Sequence, residues 1–307
     1  MIDKYEVEYV ADLERSQQWA AQTSGRWDHR LLPPSLLRFL ELGDEGRDAV
    51  RAVVAHLDES VLQNQPFGFP LADVQLLSPL PTPRSFRDFY AFEEHVKTAR
   101  GRRGLDMVPE WYDFPVFYFS NHNAFQGPEA EIERPSYTKW LDYELEIACV
   151  IGKQGRDIKP EDALDYIAGF TILNDWSARD IQREEVKVGL GPAKGKDFAT
   201  SMGPFLLTVD ELEDVRNGHR WSLEMTARVN GQELSRGNFR SIYFSFGELI
   251  ARASDGVTLH PGDVIGSGTV GTGCILELGT DVHRWLEPGD VVEMEIERLG
   301  VLRNRIK

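Results

Sequence analysis

Cysteine is scarce in this chain, with 2 among 307 residues. Cys149 and Cys274 each lie among apolar neighbours, so they read as small buried hydrophobes in a reducing compartment rather than as a disulfide or a metal pair. No apolar run approaches the ~20 residues needed to cross a bilayer. The opening segment, Met1 to Glu8, has neither a basic start nor an apolar stretch, so no signal peptide is expected and the expected location is cytoplasmic. Basic residues are outnumbered, 34 Lys and Arg against 50 Asp and Glu, for a net charge of −16. Basic stripes interleaved with aromatics, which nucleic acid and anionic membranes require, are missing. So is a Gly-rich strand-to-helix fingerprint, which counts against dinucleotide and P-loop enzymes. An anionic small molecule is not excluded, because a bound dication and a few basic groups can invert the local field.

What is present is ordinary globular material, 41% hydrophobic and 27% charged, with neither internal repeats nor low-complexity tracts. Residues 1–79 differ from the rest. Helical spacing runs through Pro34–Leu40 and Gly46–Leu57, the second opened by Asp44 and Glu45, and Leu71–Leu77 reads as a short strand. Pro79, Pro81 and Pro83 continue neither a helix nor a central strand, which puts a linker there and a second domain at 80–307. Beyond the linker, strands dominate. Ser222–Val229 alternates into the hairpin residues Asn230-Gly231, and Pro-Gly-Asp turns at 261–263 and 288–290 lead into Val264–Gly266 and Val291–Ile296. Helical interruptions are expected at Pro160–Tyr166 and Tyr243–Ala253.

The most informative segment is Leu141-Asp142-Tyr143-Glu144-Leu145-Glu146. In one continuous strand Leu141, Tyr143, Leu145 and Ile147 share a face and the three carboxylates share the other. Glu144 and Glu146 would then sit ~7 Å apart. Like charges so placed repel unless a cation compensates, and hard oxygen ligands suit Mg²⁺, Ca²⁺ or Mn²⁺ rather than Zn²⁺. The plain alternative is a half-buried strand with a solvated acidic face.

Three further segments carry polar residues that a simple core does not need: Arg87–His95; Asn174-Asp175-Trp176-Ser177-Ala178-Arg179-Asp180-Ile181-Gln182 with Gly195–Thr200; and Gly266–Leu278, which opens Gly-Ser-Gly-Thr. Together with the Glu-x-Glu strand they resemble the fumarylacetoacetate hydrolase family, from about Val74 to the C-terminus. The resemblance implies a mixed, β-rich α+β fold: a β-roll catalytic domain after a small N-terminal α/β domain. It implies metal ligands at Asp88, Glu144, Glu146 and Asp175, with Lys196 and Arg179 as nearby cations and Mg²⁺ as the expected ion. It further implies a water-activating pair, His95 and Glu277, with Lys196 and Gln182 at the oxyanion. Tyr90, Tyr118, Arg179 and Thr269 match substrate-binding positions.

Some branches of that family that decarboxylate or isomerise carry a glutamate three residues after the histidine, where this chain has Thr98. The arginine that grips substrate carboxylate in the hydrolase has no in-register match, since Gly104 stands there, with Arg102 and Arg103 adjacent. Asp142 reads as a supporting or surface carboxylate, not a ligand. Taken alone, His95 reads as a surface histidine and Lys196 as a solvated loop residue. The implied function is a divalent-metal-dependent hydrolase that cleaves a carbon–carbon bond in a 1,3-diketo (acylpyruvate-like) acid, acting as a homodimer. The alternatives are a lyase, decarboxylase or isomerase working through an enolate, and a catalytically silent metal-binding scaffold.

Overall fold

The computed structural model describes residues 8–24 and 32–307. The opening segment read above for a leader therefore lies mostly outside the described residues. The chain divides into two compact units, Met1–Leu76 and Leu77–Lys307.

In the first unit, Tyr9–Ala11 pairs antiparallel with Gly68–Pro70 beside the helices Leu13–Ser24, Leu36–Glu41, Gly43–Val54 and Glu59–Asn64. Ser35 and Asp58 cap two of these helices, each side chain accepting from a backbone N–H three residues on. Leu40, Val53 and Phe67 are buried, and the Phe67 ring lies 5.6 Å from that of Trp19. The strand expected at Leu71–Leu77 does not form. Leu71–Asp73 is instead a single 3-10 turn, placed directly after the Gly68–Pro70 strand ends at its proline.

The second unit is built on two sheets. One has seven strands in the order Phe117–Phe119, Ser85–Phe89, Asp263–Gly266, Leu145–Ile151, Ile167–Asn174, Thr200–Leu207 and Phe125–Gln126. The other has five: Gln232–Asn238, Glu224–Val229, Val291–Ile296, Gly300–Ile306 and Glu131–Ile132. The class is β-rich α+β, as expected. The Asn230-Gly231 turn has φ of 52° and 80°, the left-handed pair that a type I′ hairpin needs. Pro160–Tyr166 is 3-10, and the helix Phe246–Ser254 starts on a Ser245–Glu248 capping box. In the buried core, Trp221 stacks on Phe239 with ring centroids 5.6 Å apart, and Phe170 and Phe246 close the cluster.

The acidic segment is not one strand. Leu141–Asp142 pairs with Ser177–Ala178, Leu145–Ile151 joins the large sheet, and the chain breaks register at Tyr143–Glu144. The break occurs where the Asn174 side chain takes the Glu144 N–H at 3.0 Å, in place of a strand partner. No acidic face meets solvent. Asp142, Glu144 and Glu146 are all buried.

Candidate active site

The large sheet brings the expected ligands together. Asp88 lies in the strand Ser85–Phe89, Glu146 in Leu145–Ile151, Asp175 just past Ile167–Asn174, and Glu144 in the register break. One carboxylate oxygen from each lies within 4.8 Å of the others, and all four residues are buried. Asp88 Oδ1 and Glu146 Oε2 have no hydrogen-bond partner. Burial first and Asp175 second push the Asp88 carboxyl up to about 8. Glu146 is driven well above the carboxylate range by burial and by Asp88. Orphaned buried oxygens that resist ionisation are what a cradle for a hard dication shows when its own side chains do not satisfy it. The residues fit the group.

The two cations take the places the resemblance implies. Lys196, buried in the turn Lys194–Lys196, donates to Glu144 Oε2, to Asp175 Oδ2 at 2.7 Å and to the Asp175 carbonyl at 3.1 Å. Burial favours neutral Lys196, yet Asp175 and Glu144 outweigh it and keep its pKa raised. Burial likewise works against ionised Glu144, but Lys196 and Arg179 win and hold its carboxyl low. Arg179 is shared: its Nη2 donates to Glu144 at 2.7 Å, Nε to Asp142 at 2.8 Å and Nη1 to Gln182 Oε1 at 3.0 Å. Lys196 is no solvated loop residue, and His95 no surface histidine; each is under 5% exposed.

His95 Nδ1 stands 2.7 Å from Glu277 Oε2, at ion-pair distance though without full hydrogen-bond alignment. Pairing through Nδ1 leaves Nε2 as the nitrogen free for chemistry. The other Glu277 oxygen accepts from the Thr272 N–H at 3.1 Å, and the Cys274 thiol donates to Oε2 at 3.5 Å. The Tyr90 ring meets His95 edge-on, with centroids 5.3 Å apart. The Tyr118 hydroxyl donates to Asp175 Oδ2, and Thr269 Oγ1 to Glu146 Oε1 at 3.4 Å. Both phenols stay protonated, Tyr90 pushed up to about 12 by burial and Tyr118 raised well above the usual phenol range by burial and Asp175.

A cavity of about 780 Å³ joins these groups, its wall including Asp88, Tyr90, His95, Tyr118, Glu144, Glu146, Arg179, Gln182, Lys196 and Thr269. Four basic residues, Arg102, Arg103, Arg183 and Lys187, also line it, which reverses locally the sign of the chain's net charge. Arg102 is partly committed, with Nη2 donating to the Leu278 carbonyl at 2.8 Å. Trp140 and Trp285, stacked at 5.8 Å, form an apolar flank that sequence reading missed, because neither belongs to a motif. Of the two readings of Asp142, the surface one falls: it is fully buried and engaged at both oxygens.

Comparison with known proteins shows the family. Residues 84–307 match the family model for the fumarylacetoacetate (FAA) hydrolase C-terminal domain. The chain is 34% identical over 280 residues to the mitochondrial oxaloacetate tautomerase Fahd2a of Rattus norvegicus, covering 90% of this chain and 80% of that protein. Among solved structures it is similar to a fumarylacetoacetate hydrolase of Exiguobacterium antarcticum, 30% identical with a TM-score of 0.67 over 90% of this chain and 88% of that one. It is also similar to a 5-carboxymethyl-2-hydroxymuconate delta-isomerase of Mycobacterium smegmatis, 31% identical with a TM-score of 0.61 over 79% of this chain and 85% of that one. A family of enzymes acting on small molecules thus accounts for the whole catalytic unit, and no described helix is long and apolar enough to cross a membrane. The chain belongs to the fumarylacetoacetate hydrolase family.

Proposed function

We propose that this enzyme hydrolyses a carbon–carbon bond in a 1,3-diketo acid of the acylpyruvate type. The observation that carries the reading is the buried His95–Glu277 pair, 2.7 Å apart, whose His95 lines the same cavity as Asp88, Glu144 and Glu146 while Glu277 stands behind it. A divalent cation, Mg²⁺ in the first instance, would be held by Asp88, Glu144, Glu146 and Asp175 and would act as a Lewis acid on the substrate's keto-enol oxygens.

The chain's own groups do the rest. His95 Nε2 takes a proton from water as the oxygen adds to the distal carbonyl, and Glu277 stabilises the imidazolium that results. Gln182, whose carbonyl is occupied by Arg179, has its amide N–H groups to offer the oxyanion, and Lys196 supplies fixed positive charge beside it. Collapse breaks the carbon–carbon bond. The electron pair leaves on the 2-oxo acid fragment as an enolate, and His95 returns the proton to that carbon. Arg102 or Arg103 would grip the substrate carboxylate, with Tyr90, Tyr118, Arg179 and Thr269 fixing its orientation.

The tautomerase and isomerase names of the relatives favour a second reading: the same enolate with no water added, so that His95 moves a proton between carbon and oxygen of a 2-oxo acid. Incubation with acylpyruvates, fumarylpyruvate and oxaloacetate, with product identification, separates the two. Two acids released per turnover support hydrolysis; keto–enol or double-bond exchange without a new acid overturns it in favour of the second reading. Metal uptake with no turnover of any of them would leave a scaffold. We also propose that the protein is a homodimer in a reducing, cytoplasmic setting. A monomer mass at working concentration, or fractionation with an organelle, would remove them.

A further inference from the structure

Asp142 is neither a cradle ligand nor a lining residue of the cavity, yet its carboxylate is saturated with donors. Oδ1 accepts from the backbone N–H of Tyr143 at 2.9 Å and of Ile275 at 2.8 Å. Oδ2 accepts from the N–H of Leu276 at 3.0 Å and from Arg179 Nε at 2.8 Å. Ile275 and Leu276 open the one-turn helix Ile275–Leu278, whose third residue is Glu277. The same Arg179 reaches Glu144 through Nη2 at 2.7 Å. A continuous path therefore runs from the cradle through Arg179 and Asp142 to the turn that bears the partner of His95.

Capping that turn alone would need one neutral oxygen, which Ser, Thr or Asn supplies. Burying a full carboxylate there is costly unless it serves a second, charged partner as well. Arg179 is that partner. The path also binds residues far apart in sequence, since Asp142 and Ile275 are 133 positions apart.

We propose that Asp142 is a positioning residue for the reaction: it locks the Glu277 turn to the Arg179–Glu144 edge of the cradle, so that the base and the cradle keep one register. The inference rests on the functional reading above only in taking His95–Glu277 as the reactive pair.

The test is Asp142→Asn. An amide has one acceptor oxygen and turns an NH₂ either toward the Tyr143 and Ile275 N–H groups or toward the Leu276 N–H and Arg179 Nε, so part of the lock must open. With the substrate identified by the product screen, kcat should fall by about 10²-fold while KM changes by less than about threefold, the effect of a misplaced base. The double variant Asp142→Asn/Glu277→Gln should be no slower than Glu277→Gln alone, because groups acting as a unit do not add. A third reading needs no substrate. The downfield imidazole N–H proton of His95, assigned in NMR spectra by its loss in Glu277→Gln, should shift or disappear in Asp142→Asn. An unmoved resonance together with an unchanged kcat overturns the proposal, as do losses that multiply in the double variant. If Asp142→Asn does not fold, Asp142→Glu keeps the charge, displaces both oxygens and is read by the same outcomes. If no keto acid is turned over by the native enzyme, the functional reading fails while the resonance still decides this one.

Discussion

Replacing the two members of the His95–Glu277 pair tests the hydrolytic reading most directly. The pair is almost dry, its side chains 5% and 2% exposed, so no bulk water substitutes for a lost partner. His95→Ala removes the base outright; Glu277→Gln keeps the shape and removes the charge that stabilises the imidazolium. General-base catalysis contributes about 10²–10⁴-fold, or roughly 3–5.5 kcal/mol at about 1.4 kcal/mol per decade. Each single variant should lose activity of that order, and the double variant should be little worse than either. Mg²⁺ affinity, measured by titration calorimetry, should stay nearly native, since neither side chain supplies a cradle oxygen. The assay is steady-state turnover of the substrate found by the product screen, with both fragments quantified. Near-normal turnover in Glu277→Gln, with carbon dioxide among the products, would refute water activation and point to enolate chemistry without hydrolysis.

Chelation should abolish activity and added Mg²⁺ restore it, and Glu146→Gln should weaken Mg²⁺ binding at least about tenfold, because it keeps an oxygen and loses a charge; full turnover after exhaustive chelation would count against the cradle. Gly266→Ala should also weaken Mg²⁺ binding while the protein still unfolds cooperatively, since a Cβ there would stand 2.3 Å from Asp88 Oδ1; a native dissociation constant would show that Asp88 is no ligand. The metal-free protein should lose stability as pH rises from about 5 to 8. Asp88 is raised to about 8 from an unfolded value near 4 and Glu146 is raised too, so the folded state binds more protons in that window. The slope is about 1.4 kcal/mol per pH unit for each carboxyl that titrates, saturating Mg²⁺ should flatten it, and a urea midpoint that rises with pH in chelator would contradict the assignment.

Residue chemistry was far more legible than local geometry. The residues that the resemblance picks out as cradle, cations and His95–Glu277 pair do lie together in the structure, because each rests on side-chain identity at a fixed spacing. The same reading took Leu141–Glu146 for one regular strand, because alternation is visible in a sequence and the Asn174 side chain that interrupts the ladder is not. Leu71–Leu77 looked extended from its apolar spacing, but strand pairing is a property of a partner, and the partner of Tyr9–Ala11 is the shorter Gly68–Pro70. Asp142 could be read only as a supporting or surface carboxylate, because its donors come from the backbone of Ile275 and Leu276 and from Arg179, contacts that only folding creates.

The least conspicuous residue of the site explains why the carboxylates can meet at all. Asp88 and Glu146 sit on strands separated by the strand Asp263–Gly266, which pairs parallel with one and antiparallel with the other. Two strand spacings amount to about 9.6 Å, too far for two carboxylates to share an ion unless their side chains converge over the middle strand. In register with Asp88 on that middle strand is Gly266, and Asp88 Oδ1 lies in the space a Cβ would fill. A glycine inside a strand weakens the sheet, and here it leaves free the space that Asp88 Oδ1 occupies. From sequence, Gly266 ends a short strand after a Pro-Gly-Asp turn and opens the Gly-Ser-Gly-Thr run, with nothing to tie it to Asp88. Its role is set by register, which places a missing side chain opposite the Asp88 carboxylate.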